Sequence, residues 1–279
     1  MEEKMKKILC ILCAATFSLS AFAFDVSAEY QVVGNPKSVT RTDYSIASKF
    51  GEYFRTPSSK FSYKYDAKGN LLESSEFTPR DVLVNRIQNS FDESGNIVEQ
   101  IGYNSENVLA WKSVLSYKGG LRKDCSEYGA DGKLRSKIIY SYEGKNLVDE
   151  TCYNSDGALV GKIIYKYEGD KLTVTDEYFA DGSLDTEKQY SYTENGKKDS
   201  ITTFSGSGEL LQKEIFRYGP DGFLSEITTY GSDNRPTNRT ILRHDDKGNF
   251  TKVTSYTVAR KFGTTVNDMT SMSEAIYEY

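Results

Sequence analysis

KIIYSYEGKNL begins at Lys137, and KIIYKYEGDKL begins at Lys162. Eight of the eleven letters agree, and the two stretches start 25 residues apart. The likeness extends outward in both directions. Leu134 precedes Tyr142 by eight positions, and the same interval separates Leu109 from Tyr117, Leu159 from Tyr167, Leu184 from Tyr192 and Leu210 from Tyr218. It recurs with phenylalanine at Leu83 and Phe91, and in degenerate form at Pro236 and His244. A glycine-bearing turn follows each of these runs. A shorter run comes next, with an apolar residue six before an aromatic, as at Leu71 and Phe77, Ile97 and Tyr103, Leu147 and Tyr153, and Leu172 and Tyr178. A second turn, Asp131-Gly132, Asp156-Gly157, Asp181-Gly182 or Ser207-Gly208, closes a unit of 25 to 27 residues. Self-similarity at such a period marks a repeat architecture.

The letters within each unit alternate with a period of two, which is the pattern of a half-buried strand. Asp-Gly and Asn-Gly corners between such runs read as hairpin turns, because glycine accepts the positive φ that tight hairpins need. The intervals of eight and six are even, so each leucine is expected to share a face with its aromatic partner. Leu121 to Tyr128 is an odd interval, and it predicts a β-bulge in strand 121–128. Short turns join only neighbouring antiparallel strands. The fold class is therefore all-β, a repetitive antiparallel β-meander of about 17 strands. A sheet of that width must cover its apolar face, so a curved or spiralling sheet is expected. Tyr117, Tyr142, Tyr167, Tyr192 and Tyr218 would stack as one ladder, and Tyr128, Tyr153, Tyr178 and Tyr230 as another. The single tryptophan, Trp111, has the parity of the core.

The chain begins as an export signal does. Lys4, Lys6 and Lys7 precede a mostly apolar run from Ile8 to Leu19, and Ala21-Phe22-Ala23 offers small residues for cleavage. The organisation read from the sequence is a signal peptide at 1–23, a lead-in or cap at 24–60, hairpin repeats at 61–257, and a loop with a capping strand at 258–279. No later segment is long and apolar enough for a membrane span. The protein is expected in the periplasm, at the cell surface or secreted. With a net charge of −5 and a pI near 5.2, it lacks the basic surface that nucleic acid requires.

Cys125 and Cys152 fall on equivalent strands of neighbouring units, with one strand between them. Two strand spacings are about 9.6 Å, beyond the reach of a disulfide. Two free thiols are expected even in an oxidising compartment, unless the sheet rolls to bring them together.

Several stretches resemble a known family. The segment YKYDAKGNL from Tyr63, FDESGNIVE from Phe91 and HDDKGNFTK from His244 look like the tyrosine-aspartate (YD) repeats of Rhs and toxin-complex proteins. More closely, they look like small secreted repeat proteins of host-associated bacteria, often described loosely as sugar-binding. The resemblance covers about 63–256, and GNPKSVTRTDY with KFGE before it resembles the cap of those small proteins. The middle repeats YEGKNL and YEGDKL depart from the motif, because they lack the aspartate after tyrosine. In large family members the repeats form a spiralling shell around a toxin. The resemblance implies an architecture and carries no catalytic residues.

The residues offer little chemistry of their own. His244 is the only histidine, and it stands where the ladder has tyrosine, so aromatic packing is the expected role. The turn aspartates Asp131, Asp156 and Asp181 read as residues that cap their own turns. No nucleophile elbow, phosphate loop or zinc motif is present, so neither enzyme activity, a cofactor nor a metal is expected. Two readings of function remain. One is a binding module for glycans, whose aromatic platform would be Tyr140, Tyr165 and Tyr190. The other is a structural or protein-interaction scaffold for an envelope or host protein.

Overall fold

The computed structural model describes residues 32–261 and 263–279, so the expected signal peptide at 1–23 lies outside the described residues. The described elements are strands: β1(Ser38–Lys49), β2(Glu52–Tyr65), β3(Leu71–Phe77), β4(Leu83–Phe91), β5(Ile97–Tyr103), β6(Leu109–Lys118), β7(Leu121–Gly129), β8(Leu134–Glu143) and β9(Asn146–Asn154). They continue as β10(Leu159–Glu168), β11(Lys171–Phe179), β12(Leu184–Tyr192), β13(Lys198–Ser205), β14(Leu210–Tyr218), β15(Leu224–Gly231), β16(Pro236–His244), β17(Phe250–Lys261) and β18(Thr264–Glu278).

All eighteen strands belong to one antiparallel sheet. The chain divides into two compact units. The middle unit comprises Asn89–Gly102 and Leu109–Lys213, and in it β6 to β13 pair in chain order. The terminal unit holds the described residues up to Gln88, together with Tyr103–Val108 and Glu214–Tyr279. Its strands run β15-β16-β17-β18-β1-β2-β3-β4. The first and last strands are therefore neighbours: Ser38 lies opposite Glu278, and Ser45 opposite Ser271. This corrects the expected open, spiralling sheet of about 17 strands. The meander has eighteen strands and closes into a barrel. Pairing the two end strands satisfies rows of N–H and C=O groups that an open sheet leaves exposed. The C-terminal strand begins at Thr264, which lies opposite Lys261.

The predicted bulge in strand 121–128 is present, where Tyr117 lies opposite Arg122 but Ser116 lies opposite Asp124. It is one of a series. In the next hairpin Tyr142 faces Leu147 and Ser141 faces Asp149, which leaves Val148 as an extra residue. Across the other turn, Tyr128 faces Leu134 and Glu127 faces Ser136, which leaves Arg135 extra. The same one-residue slip follows the turns before β3, β4, β9 to β13, β16 and β17. An extra residue reverses the alternation of side chains beyond it. The two tyrosine ladders thus lie on opposite faces. In the middle unit Tyr142 shares its face with Leu147, whereas Tyr153 lies opposite Lys137 on the other side. The expectation that each leucine shares a face with the aromatic six or eight residues later fails for this reason.

The core face of the middle unit holds Leu115, Cys125, Ile138, Tyr140 and Cys152, with Tyr117, Tyr142, Leu147 and Val160 packed against them. Ile138 lies opposite Cys125 on one side and Cys152 on the other, so the two buried thiols are one strand apart and form no disulfide. Trp111 is half-buried and lies over Gly102, where an added Cβ would sit 2.2 Å from the indole. The terminal unit has its own cluster of Leu224, Ile227, Leu242, Phe250 and Val253. His244 joins that packing as expected, with its ring centroid 4.6 Å from Phe250 and 5.4 Å from Phe223.

Candidate functional site

The tyrosines expected to form a ligand platform, Tyr140, Tyr165 and Tyr190, lie on β8, β10 and β12 and face the core side of the middle unit. Tyr140 is buried at 6% exposure, and the Arg122 guanidinium lies 5.4 Å from its ring centroid. Burial holds its hydroxyl well above the ordinary phenol range. Tyr165 and Tyr190 are half-buried. The Tyr165 hydroxyl donates a 2.9 Å hydrogen bond to Glu150 Oε1, and the Tyr190 hydroxyl sits 3.3 Å from Thr175 Oγ1. Burial, then the Glu150 carboxylate, pushes the Tyr165 phenol upward. Glu150 is itself buried. Desolvation raises its pKa against the opposing effects of the Tyr165 bond and Arg122.

Beside these groups is a cavity of about 40 Å³ lined by Ile138, Glu150, Cys152, Val160, Ile163 and Glu177. Such a volume accepts a few water molecules and not a sugar ring. Lys188 closes on Glu177 at 3.4 Å. The core face thus uses its phenols, carboxylates and cations on one another.

The other face of the same unit is built differently. Strand pairing sets Tyr128 between Lys112 and Leu134. It sets Tyr153 between Lys137 and Leu159, and Tyr178 between Lys162 and Leu184. Phe77 repeats the arrangement in the terminal unit, between Lys60 and Leu83. Each aromatic is half-buried, and Leu159 is 40% exposed. Lys112, Lys137 and Lys162 keep about two-fifths of their side-chain surface and pair with Glu99, Asp124 and Asp149. The triads recur on alternate strands, about 9.6 Å apart. These charged groups share the face with the exposed apolar side chains of Val114 and Ile139. Sequence reading missed the arrangement because the bulges carry no letter of their own.

The turns hold themselves. Asp66 Oδ1 accepts from the backbone N–H groups of Lys68 and Asn70, and Asn70 Nδ2 donates to Asp66 Oδ2. Asp92 with Asn96 and Asp245 with Asn249 repeat the clamp. Asp131 and Asp181 cap their turns as expected, through Lys133 N–H and Ser183 N–H. In the turn of Asp156 the cap is instead Asn154, which accepts from the N–H groups of Asp156 and Ala158. Among the described residues no three His, Cys, Asp or Glu side chains are grouped to hold a metal ion. No described helix is long and apolar enough to cross a membrane, which says nothing of strands.

No family model matches the chain, and no curated protein matches it in sequence. Among solved structures, it is similar to a porin-like protein from Bacteroides uniformis at 9% identity and a TM-score of 0.49, over 88% of this chain and 98% of that one. A porin-like protein from Bacteroides vulgatus aligns at 11% identity and a TM-score of 0.38, over 87% and 98%. The toxin complex TcdB2-TccC3-Cdc42 aligns at 13% identity and a TM-score of 0.28, over 76% of this chain and 16% of that one. These values, all below 0.5, decide neither family nor activity.

Proposed function

We propose that this chain is an exported, non-enzymatic binding module that takes glycans along the lysine–aromatic–leucine triads of its middle unit. The observation that carries this reading is the recurrence of Lys112–Tyr128–Leu134, Lys137–Tyr153–Leu159 and Lys162–Tyr178–Leu184 on one face. A sugar lays its C–H face on an aromatic ring and takes hydrogen bonds from polar groups at the ring's margin. Each triad offers a ring one strand from a cation, and that cation pairs with a carboxylate on the strand beyond it. A repeating ligand meets a repeating surface, so weak contacts add along the chain. Tyr140, Tyr165 and Tyr190 are the less apt platform, because all three face the core side and Tyr140 is buried.

The test is a glycan array probed with the wild type, with Tyr128, Tyr153 and Tyr178 changed together to Ala, and with Tyr165→Phe. Binding that is lost in the triple variant and kept in Tyr165→Phe supports the reading. Binding that survives the triple variant, or a wild type that binds no glycan, removes it. The alternative, a scaffold for an envelope or host protein, would have to work without a free edge on either terminal strand, since these pair with each other.

A further inference from the structure

The β1–β2 and β17–β18 hairpins are longer than the repeats require. The last pair between β2 and β3 is Lys60 with Phe77, so residues 52–59 run on past the neighbouring strand. Eight residues of strand reach roughly 27 Å at about 3.4 Å each. β1 runs toward its tip, β18 runs away from its own, and the two pair antiparallel, so both tips project from the same end of the terminal unit. The Tyr53 hydroxyl ties the hairpins together. It accepts from Met269 N–H at 3.3 Å and lies 3.3 Å from the Asn267 carbonyl oxygen as a donor.

The tip chemistry is unusual for a fold device. Lys49 pairs with Glu52, so the turn is Phe50-Gly51, with φ of 54° and 82°. Positive φ at both positions is the primed hairpin geometry that favours Asn-Gly. A phenylalanine there is strained. Packing does not compensate the strain, because Phe50 is fully exposed at 107%, with Phe54 at 50% and Tyr53 at 42%. The sequence repeats Lys-Phe-Gly at 261–263, at the β17–β18 turn, although Phe262 lies outside the described residues.

Charge points to the occupant. Residues 46–55 and 258–268 hold four basic residues, Lys49, Arg55, Arg260 and Lys261, against two acidic ones, Glu52 and Asp268, in a chain of net charge −5. Arg55 is paired with Glu274 at 3.0 Å, and the two tips together hold two more basic than acidic residues. We infer that the paired hairpin tips seat the protein on an anionic lipid surface, with Phe50, Tyr53 and Phe54 in the interfacial layer and the basic residues at the headgroups. Exposed aromatics beside cations are the composition of segments that lie in a membrane interface. A narrow projecting ribbon, exposed on both faces through residues 52–58, offers a folded partner no concavity.

The experiment is vesicle flotation of the chain from Phe24 onward, which keeps all eighteen strands. Vesicles of phosphatidylglycerol in phosphatidylcholine are compared with phosphatidylcholine alone. The decisive variant is Phe50→Asn with Phe54→Ser. Asparagine suits the turn, so Phe50→Asn alone should raise the unfolding temperature, and a loss of binding in the pair is not a loss of fold. The expected result is flotation of the wild type with anionic vesicles, weakened by salt and reduced roughly tenfold or more in the double variant. Equal flotation of wild type and variant overturns the inference, as does equal flotation with neutral and anionic vesicles. Concentration-dependent self-association that the variant abolishes, without vesicle binding, would assign the tips to a second copy and also overturn it.

Discussion

Glu150 is a carboxyl held on a covered face. Burial raises its pKa, and the Tyr165 hydroxyl and Arg122 only partly offset that effect. A carboxyl with a raised folded pKa favours folding while it is protonated. Its contribution is complete below the ordinary glutamate range and is lost as pH rises through the raised value. Glu150→Gln keeps an acceptor for Tyr165 and removes the buried charge. Thermal melts should therefore match the wild type at low pH and favour the variant increasingly as pH climbs past the carboxylate range. Parallel curves at all pH values would show that the carboxyl is not desolvated. His244 has the opposite dependence. Burial lowers its pKa, although Asp221 and Asp245 act against the shift. Its neutral form suits the fold, so stability is complete above the ordinary histidine range and declines as pH falls through it. His244→Tyr restores the ladder residue and should flatten the decline in unfolding temperature between about pH 7 and pH 5. The role of His244 was legible in the sequence because the repeat names what belongs at that position. The engagement of Glu150 with Tyr165 was not, because contacts between residues 15 apart depend on where the register slips.

At the scale of one hairpin, the sequence displayed the strands and turns and concealed the bulges. A bulge needs one extra residue and no particular letter, so Val148 and Arg135 look like ordinary members of their strands. Their consequence is large, since they send Tyr142 and Tyr153 to different faces. Some turns were also under-read. Asp81, Asn107 and Asn234 take positive φ where sibling repeats use glycine. Short polar side chains tolerate that region, which keeps the turn while erasing its signature. The Asp-x-x-Gly-Asn clamp allows a graded test. Asn70 serves only its own turn through Asp66. Asn249 is 4% exposed and does more: its Oδ1 accepts from Val33 N–H, and its Nδ2 lies within 3.1 Å of Val33 O, Asp245 Oδ2 and Tyr279 Oη. It can donate to two of these at once. Asn249→Ala should cost about 2–3 kcal/mol in denaturant unfolding, and Asn70→Ala about 1 kcal/mol. Equal losses would mean that the links to Val33 and Tyr279 contribute nothing.

At the scale of the whole chain, closure was the feature that the repeat could not announce. A repeat specifies neighbours one and two strands away, whereas the pairing of β1 with β18 joins segments outside it, more than 200 residues apart. Closure imposes an arithmetic that an open meander escapes. In a meander every strand reverses direction, so the first and last strands are antiparallel only when the number of strands is even. Eighteen meets that condition. Deleting residues 134–158 removes two strands and one complete 25-residue unit, and joins Lys133 to Leu159, which opens the same kind of strand as Leu134. Sixteen strands can still close with β1 antiparallel to β18. Deleting residues 146–158 removes one strand, and seventeen strands cannot close with that pairing. The two-strand deletion should remain monomeric with a cooperative melt, at a reduced unfolding temperature, because it loses Ile138, Tyr140 and Cys152 from the core. The one-strand deletion should expose unpaired strand edges and associate, which size-exclusion chromatography coupled to light scattering would read directly. If both deletions behaved alike as monomers, the chain would not depend on closure, and each unit would stand on its nearest-neighbour contacts alone.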